Sequence, residues 1–348
     1  EEYFLGSRSM GGFVLAMAII TTYTSASSFV GGPGVAYKMG LGWVLLAMIQ
    51  VPTAFLTLGV LGKRFAIIAR RIQAVTVTEF LRVRYRNDLV VILSSIALLI
   101  FFMASMLAQF IGGARLFQSI TGYPYLIGLI IFGITVILYT TVGGFRAVVL
   151  TDTIQGSMMI IASIALLWSV VHAGGGMTAV MTRLYEIDPA LITPFGPDNF
   201  ISKPFILSFW VLVGFAILGL PQTTVKCMGY KDSRSMHNAM IIGTFIVGFL
   251  MLCMHMVGAL GRAVIPDIQV GDLAVPTLTI KLLSPFWAGV FIAGPLAAIM
   301  STVDSMLILA SAAIIKDLYL NYLCKDPEKV NPATLGRMSF ISTGILGI

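Results

Sequence analysis

Two stretches of this sequence place hydroxyl groups in the middle of long apolar runs. In residues 21–28 every side chain except that of Ala26 carries a hydroxyl, and the glycine- and proline-rich residues 31–34 follow. In residues 298–305 the hydroxyls of Ser301 and Thr302 are adjacent. Hard cations such as Na⁺ take oxygen ligands, and a helix that unwinds in mid-membrane exposes its backbone carbonyls to ions. Together the two stretches indicate a cation site between two helices.

Each stretch also has a purely structural explanation. Residues 21–34 are consistent with a kinked helix packed through small residues. Ser301 and Thr302 point about 100° apart on a helix, and each hydroxyl has the option of bonding a carbonyl of the preceding turn. The residues alone leave both explanations open.

Two carboxylates extend the candidate chemistry. Asp304 lies well inside an apolar run, where a charge is costly and by default marks function. Ion binding, proton exchange, and a paired or protonated group facing a water-filled vestibule all remain open for it. Asp152 lies near the end of another run, where the alternative is a charge that reaches the membrane surface.

A second interruption of an apolar run contains Gly214, Gly219, Pro221 and Gln222. It lies five spans after the first, the separation expected for the discontinuous helices of inverted five-helix repeats. A simple proline kink is the alternative. In a third run, Gln109 is predicted to be buried, where it either lines a cavity or bonds a neighbouring helix.

The elements that must position these residues are membrane helices. The chain has 348 residues, of which 58% are hydrophobic and 11% charged, with a mean hydropathy of +0.96, whereas a soluble domain is about 25% charged. Apolar runs of about 20 residues predict transmembrane helices and exclude a barrel of short alternating strands. The predicted spans are residues 11–36, 41–62, 89–119, 124–142, 148–172, 204–226, 237–261 and 285–315, with a ninth from about 339.

Basic residues predict which side of the membrane each loop faces. The segment 63–86 contains seven arginines and lysines, which places it in the cytoplasm. Residues 74–85 are predicted to form a short amphipathic helix at this inner surface, and 177–186 and 273–283 similar helices outside. Alternation of the spans places further basic residues inside, namely Arg146, Lys226, Lys231, Arg234, Lys316, Lys325 and Lys329.

The sequence argues against several functional classes. The net charge of +7 comes from short loops between apolar runs, which argues against nucleic acid as a partner. No nucleotide loop, nucleophile elbow or metal-ligand pair occurs in the sequence, so we expect no enzyme activity. Transport must then be driven by an ion gradient or follow the solute's own concentration gradient. No obligate protein partner is indicated, and both chain ends are expected to be cuts within a longer protein.

Two motifs resemble the signatures of the solute:sodium symporter family. One runs from Leu138 to Ala147 and continues from Thr151 to Gln155; the other runs from Ala298 to Thr302 and continues from Lys316 to Tyr319. The resemblance covers essentially the whole chain. It implies an all-α, LeuT-like core of ten helices in two inverted five-helix repeats, in a multi-pass protein of the bacterial inner membrane. The chain would be one domain, 1–348, with a first repeat over about 10–172 and an incomplete second repeat over about 204–348.

The family resemblance also implies the position of the transported sodium ion. The ion's ligands map to the backbone carbonyls of Thr21, Thr24 and Ala298 and the hydroxyls of Ser301 and Thr302. Asp152, in a threonine–aspartate pair, maps to the cytoplasmic exit of the ion.

Within the family the chain resembles members that carry pantothenate, so sodium-coupled uptake of pantothenate or a similar small anion by alternating access is implied. Family members that carry proline have an aspartate where this chain has Tyr23, and losing that negative charge suits an anionic solute. A symporter for another small carboxylate or solute, and the transporter-like domain of a membrane sensor, are the alternatives. The residues predicted to bind the solute are Tyr23, Ser25, Ser27, Ser28, Gln109, Pro221 and Gln222.

Overall fold

The computed structural model describes residues 9–215, 219–324 and 330–347, which are almost entirely helical. Backbone groups cannot remain unpaired in hydrocarbon, so apolar runs of this length form helices. Six helices within the described residues are long and apolar enough to cross a membrane, and a bent pair forms a seventh span. The helices are α1 (Gly12–Tyr23), α2 (Ser27–Met39), α3 (Leu41–Arg71), α4 (Val77–Tyr85), α5 (Asp88–Thr121), α6 (Tyr125–Phe145), α7 (Ala147–Ala173), α8 (Met177–Ile187), α9 (Lys203–Phe215), α10 (Pro221–Met228), α11 (Ser233–Val264), α12 (Ala274–Leu282), α13 (Pro285–Leu323) and α14 (Pro332–Gly347).

The predicted spans are confirmed as helices, and the first of them is broken as predicted. α1 and α2 meet at an angle of 71°. The sixth predicted span consists of α9 and α10, with residues 216–218, like Lys325 and Lys329, outside the described residues. We call the side of the bundle that carries residues 63–86 the inner side, following the predicted orientation.

The end of α13 was predicted eight residues too early, at 315. The last segment, Ala313–Leu323, continues as a π-helix. It contains Lys316 and Asp317. Asp317 is buried, and the Thr76 hydroxyl donates to its Oδ1 at 2.7 Å.

The short helix predicted at the inner surface is α4. It begins with a capping box, in which Thr76 accepts from the Glu79 amide and Glu79 accepts from the Thr76 amide, so two otherwise unpaired helix donors are satisfied. Glu79 also lies 3.9 Å from Lys316 of α13. α4 is therefore joined to the inner end of α13. The two outer helices predicted at 177–186 and 273–283 are confirmed as α8 and α12.

Gly144 separates α6 from α7. Its φ of 55° and ψ of −157° interrupt the helical path, and glycine adopts such a conformation without steric cost. The chain thereby turns from one span into the next with almost no loop.

α13 is the central helix of the bundle. Inside its most apolar window 83% of residues are buried, compared with 22% for α5, which therefore faces lipid. α13 packs against α5, α6 and α7, while α11 packs against α1 and α2. The two broken spans, α1–α2 and α9–α10, are the first and the sixth of the predicted spans. Division into inverted repeats remains a prediction from that spacing.

α2 and α11 pack so closely that a glycine is required where they cross. A β-carbon added to Gly258 would overlap the carbonyl oxygen of Pro33. We expect Gly258→Ala to lower the free energy of unfolding by about 1–3 kcal/mol through overpacking, measured as a lower melting temperature of the full-length protein in detergent. Gly31→Ala is the matched control because a β-carbon there meets nothing within 4 Å. Equal melting temperatures for the two variants would contradict the prediction.

Candidate functional site

The break between α1 and α2 releases two backbone carbonyls. Thr24 is extended, with φ −81° and ψ 138°, so the helical hydrogen bonds stop there. The Ser28 amide, which would bond Thr24 in a continuous helix, bonds the Ser25 carbonyl at 3.0 Å. The Ser25 amide likewise faces the Ser28 hydroxyl, at 3.5 Å, instead of the Thr21 carbonyl. The carbonyls of Thr21 and Thr24 are thus left for other partners.

Gln109 of α5 supports this break. Its Oε1 accepts a hydrogen bond from the Ala26 amide at 3.1 Å. That amide lies at the start of the second half-helix, where donors have no partner inside the helix. Of the two roles open to Gln109, bonding a neighbouring helix is therefore the one observed.

The five predicted sodium ligands lie together at the break. The Ser301 hydroxyl donates to the Thr21 carbonyl at 2.6 Å and to the Ala298 carbonyl at 3.1 Å. The Thr302 hydroxyl donates to the Thr24 carbonyl at 3.1 Å and to the Ala298 carbonyl at 2.9 Å. Each hydroxyl thus bonds back within α13 and also reaches the first span.

This arrangement suits a hard monovalent cation. All five oxygens are neutral, and the residues that carry them are buried. The spacing between the hydroxyls and the carbonyls is that of oxygens able to converge on one ion. A hydroxyl rotates freely, so each proton now directed at a carbonyl can turn away and leave the oxygen lone pairs facing the ion.

Asp152 is not a surface charge. It is fully buried, and its Oδ2 lies 2.6 Å from the Lys226 ammonium, itself only 2% exposed. The placement of Lys226 in a cytoplasmic loop was therefore wrong, and so was the surface alternative for Asp152. The reason is that α10 is the inner half of a broken span and directs Lys226 into the bundle, whereas the sequence suggested a span ending at 226.

Asp304 lies in the same buried region. Its Oδ2 accepts from the Tyr139 hydroxyl at 2.7 Å and its Oδ1 from the Ser305 hydroxyl at 3.1 Å. The Ser305 hydroxyl lies 3.2 Å from that of Thr22, which accepts a hydrogen bond from Lys226. We call this set the inner polar cluster; it comprises Thr22, Tyr139, Asp152, Lys226, Asp304 and Ser305.

Sequence reasoning missed Thr22, Tyr139 and Lys226 as members of this cluster. Tyr139 lies in one of the family signatures, and Thr22 lies in the hydroxyl-rich stretch, but neither position alone indicates a partner. A lysine four residues after Gln222 was the available signal for Lys226, because that spacing places both on one face of a helix.

The predicted solute residues fall into two groups. The hydroxyls of Ser25 and Ser27 lie 2.8 Å apart, and Ser27 is exposed. Ser28 is turned into the break, and the Tyr23 hydroxyl is buried without a hydrogen-bond partner.

Pro221 and Gln222 form the second group, at the start of α10. Gln222 lines a cavity of about 10 Å³, the size of one water molecule, with Lys226 and Ser305. Its Oε1 has no hydrogen-bond partner. Gln222 thus lies beside the inner polar cluster, and its role opposite the serines stays a prediction.

Known proteins resemble this chain in sequence and in fold. Residues 3–347 match the profile of the sodium:solute symporter family, and the chain belongs to that family. It is 57% identical to the sodium/pantothenate symporter of Escherichia coli K12 over 347 residues, covering 100% of this chain and 71% of the relative. The sodium/pantothenate symporter of Haemophilus influenzae is 53% identical, with 99% and 71% covered. A sodium/proline symporter of Staphylococcus aureus is 27% identical, with 100% and 69% covered.

Solved structures show the same fold. A Na⁺-coupled sialic acid symporter in a substrate-bound, outward-open state superposes with a TM-score of 0.84 at 16% identity, covering 99% of this chain and 74% of that one. MhsT in complex with L-phenylalanine gives a TM-score of 0.58 at 18% identity, with 96% and 85% covered. The predicted all-α, LeuT-like fold is confirmed. Sodium is the co-transported ion of this family.

Gln109 offers a test of how the break is held. Gln109→Met keeps the size of the side chain but removes the acceptor, which leaves the Ala26 amide unpaired at a cost of about 1–3 kcal/mol. We expect the sodium concentration for half-maximal binding to rise, measured by sodium-dependent protection against thermal unfolding. Gln109→Glu retains an acceptor oxygen and should stay close to the wild type. Identical sodium dependence in all three proteins would contradict this role.

Proposed function

We propose that this protein takes up pantothenate with sodium across the bacterial inner membrane by alternating access, and that it is a transporter rather than an enzyme. The observation that carries the sodium part is the set of five oxygens between the broken first span and α13. Pantothenate is supported by the names of the two relatives above 50% identity. A sensor function is not supported by these relatives.

The sodium ion joins two separate parts of the bundle. Thr21 and Thr24 belong to the first span, whereas Ala298, Ser301 and Thr302 belong to α13. An ion that accepts lone pairs from both parts holds them together more firmly than the present hydroxyl–carbonyl bonds alone. Binding of sodium from outside thereby stabilises the conformation in which the solute site is formed.

Backbone and side-chain contacts join the inner ends of three helices. Met10 forms a backbone bridge next to α10, with its amide bonded to the Gly229 carbonyl at 3.1 Å and its carbonyl to the Lys231 amide at 2.9 Å. Arg70 covers the ring of Tyr230 at 4.1 Å and donates to its carbonyl. These contacts hold the inner ends of α1, α3 and α10 together, as an outward-facing carrier requires.

The solute is proposed to bind on the outer side of the break. Ser25 and Ser27 offer paired hydroxyls there, Tyr23 offers a hydroxyl without a partner, and Ser28 and Gln109 hold the break in shape. None of these side chains carries a negative charge, which favours an anion. Pro221 and Gln222 would meet the solute from α10.

Proteoliposomes provide the direct test of the proposed transport. We expect labelled pantothenate to accumulate inside when Na⁺ is supplied outside, and not when K⁺ replaces it. Movement of one Na⁺ with one pantothenate anion carries no net charge, so an inside-negative potential increases accumulation, by about 2.3 kcal/mol per net charge per 100 mV, only when more than one Na⁺ crosses with each anion. Equal uptake with both ions would overturn symport, and uptake of another carboxylate alone would overturn the solute.

The sodium site is tested by removing its hydroxyls one at a time. Ser301→Ala and Thr302→Ala each delete one ligand, and we expect the sodium concentration for half-maximal uptake to rise about tenfold or more. Ser311→Ala is the matched control, because Ser311 is a buried serine of the same helix that bonds the Ser339 carbonyl. If all three variants keep the sodium dependence of the wild type, the two hydroxyls serve packing only.

A further inference from the structure

We propose that the Lys226 ammonium keeps the sodium exit closed. It binds Asp152 and α1 when the inner side is closed, and the departing sodium ion displaces it from Asp152. This inference rests on the proposed sodium site. It assigns a positioning role in transport to a residue that the sequence placed in a loop.

The burial of Lys226 requires an explanation. Among the residues whose side chains the structure describes, it is the one buried lysine or arginine. A buried ion pair seldom adds stability over apolar side chains, yet removing one partner is strongly unfavourable because the other charge is left bare. Within a membrane span such residues are by default functional.

Lys226 joins three separate parts of the bundle. Its Nζ donates to the Asp152 carboxylate of α7 at 2.6 Å, to the Ala18 carbonyl of α1 at 3.1 Å, and to the Thr22 hydroxyl of α1. Lys226 itself belongs to α10. The inner halves of both broken spans are therefore tied by one ammonium group to α7, the helix that carries the predicted exit residue.

The same contacts lead back to the sodium site. Thr22 follows the sodium ligand Thr21 in the chain, and its hydroxyl lies 3.2 Å from that of Ser305. Ser305 in turn donates to the carbonyl of Ser301 at 2.7 Å. Three hydrogen bonds thus connect the Lys226 ammonium group to Ser301, one of the predicted sodium ligands.

An unpaired carboxylate oxygen and a small cavity in the cluster provide for an exchange of cations. Asp152 Oδ1 is buried without a hydrogen-bond partner, so one carboxylate oxygen is open to an arriving ion while Oδ2 still holds Lys226. The ammonium, once displaced, faces the water-sized cavity that it lines together with Gln222 and Ser305. The released ammonium no longer holds Ala18, which removes the contact between the middle of α1 and α10 and leaves the backbone contacts of Met10 to be broken.

The test measures exposure of the inner cavity. Ile308 lines that cavity on α13, and Leu166 is a fully buried core residue of α7. Each is replaced by cysteine in the full-length protein, in which every native cysteine, including Cys227, Cys253 and Cys324, is changed to alanine. Inside-out vesicles in sodium buffer are labelled with a membrane-impermeant maleimide, and the ratio of the rate at Ile308→Cys to that at Leu166→Cys is compared among variants.

We expect Lys226→Met to raise this ratio about tenfold, within the range of ordinary conformational coupling, and to let ²²Na⁺ cross without pantothenate. Lys226→Arg keeps the charge and should stay near the wild type, as should Lys231→Met, which removes an exposed lysine nearby. Asp152→Asn should raise the ratio as well, and Lys226→Met/Asp152→Asn should resemble Lys226→Met alone, because the two residues act as one unit.

An unchanged ratio in Lys226→Met would overturn the proposal. Global unfolding exposes both cysteines, so a raised rate at Leu166→Cys as well as at Ile308→Cys also counts against it, and so do additive effects in the double variant. Pantothenate is absent from the assay, so failure of the solute assignment does not affect it. Failure of the sodium site would appear separately, as labelling of the otherwise unmutated protein that is equal in sodium and in choline.

Discussion

The interaction on which the rest of the structure depends is the pairing of backbone groups at the break between α1 and α2. In hydrocarbon an unpaired amide or carbonyl is costly, and the break creates several at once. The amides are satisfied by Ser28 and by Gln109 from α5, and the carbonyls of Thr21 and Thr24 by hydroxyls from α13. The break therefore exists only where α5 and α13 are correctly placed beside it.

This dependence explains why one helix is central. α13 provides the hydroxyls of the proposed sodium site, the Asp304 carboxylate and Ser305 within little more than one turn. Each of these groups has a partner on another helix or in the preceding turn. A polar strip of this kind is tolerable in a membrane only if it is enclosed, and 83% of the apolar window of α13 is buried. The charged group of this strip, the Asp304 carboxylate, lies in the same polar cluster as the Lys226 ammonium of the second broken span.

Most of the fold and part of the candidate site could be predicted from the sequence. Spans, surface helices and the first break follow from hydropathy, glycine, proline and hydroxyl content, because lipid leaves the backbone few options. The resemblance to a family supplied the five sodium ligands, which hydroxyl content alone left ambiguous between ion binding and back-bonding. The position of Lys226 and the end of α13 were predicted wrongly for one reason. Charged residues were expected to lie in water, whereas Lys226 and Asp317 have buried partners in Asp152 and Thr76. Such partners lie on distant segments and leave no local pattern.

The joint between α4 and α13 has a mechanical consequence. Thr76 and Glu79 attach α4 to Asp317 and Lys316, so the inner surface helix and the central helix form one frame. The frame fixes the position of α13, which carries three of the five proposed sodium ligands. Movement that opens the inner side then falls to the short half-helices α1 and α10, which the two breaks separate from α2 and α9.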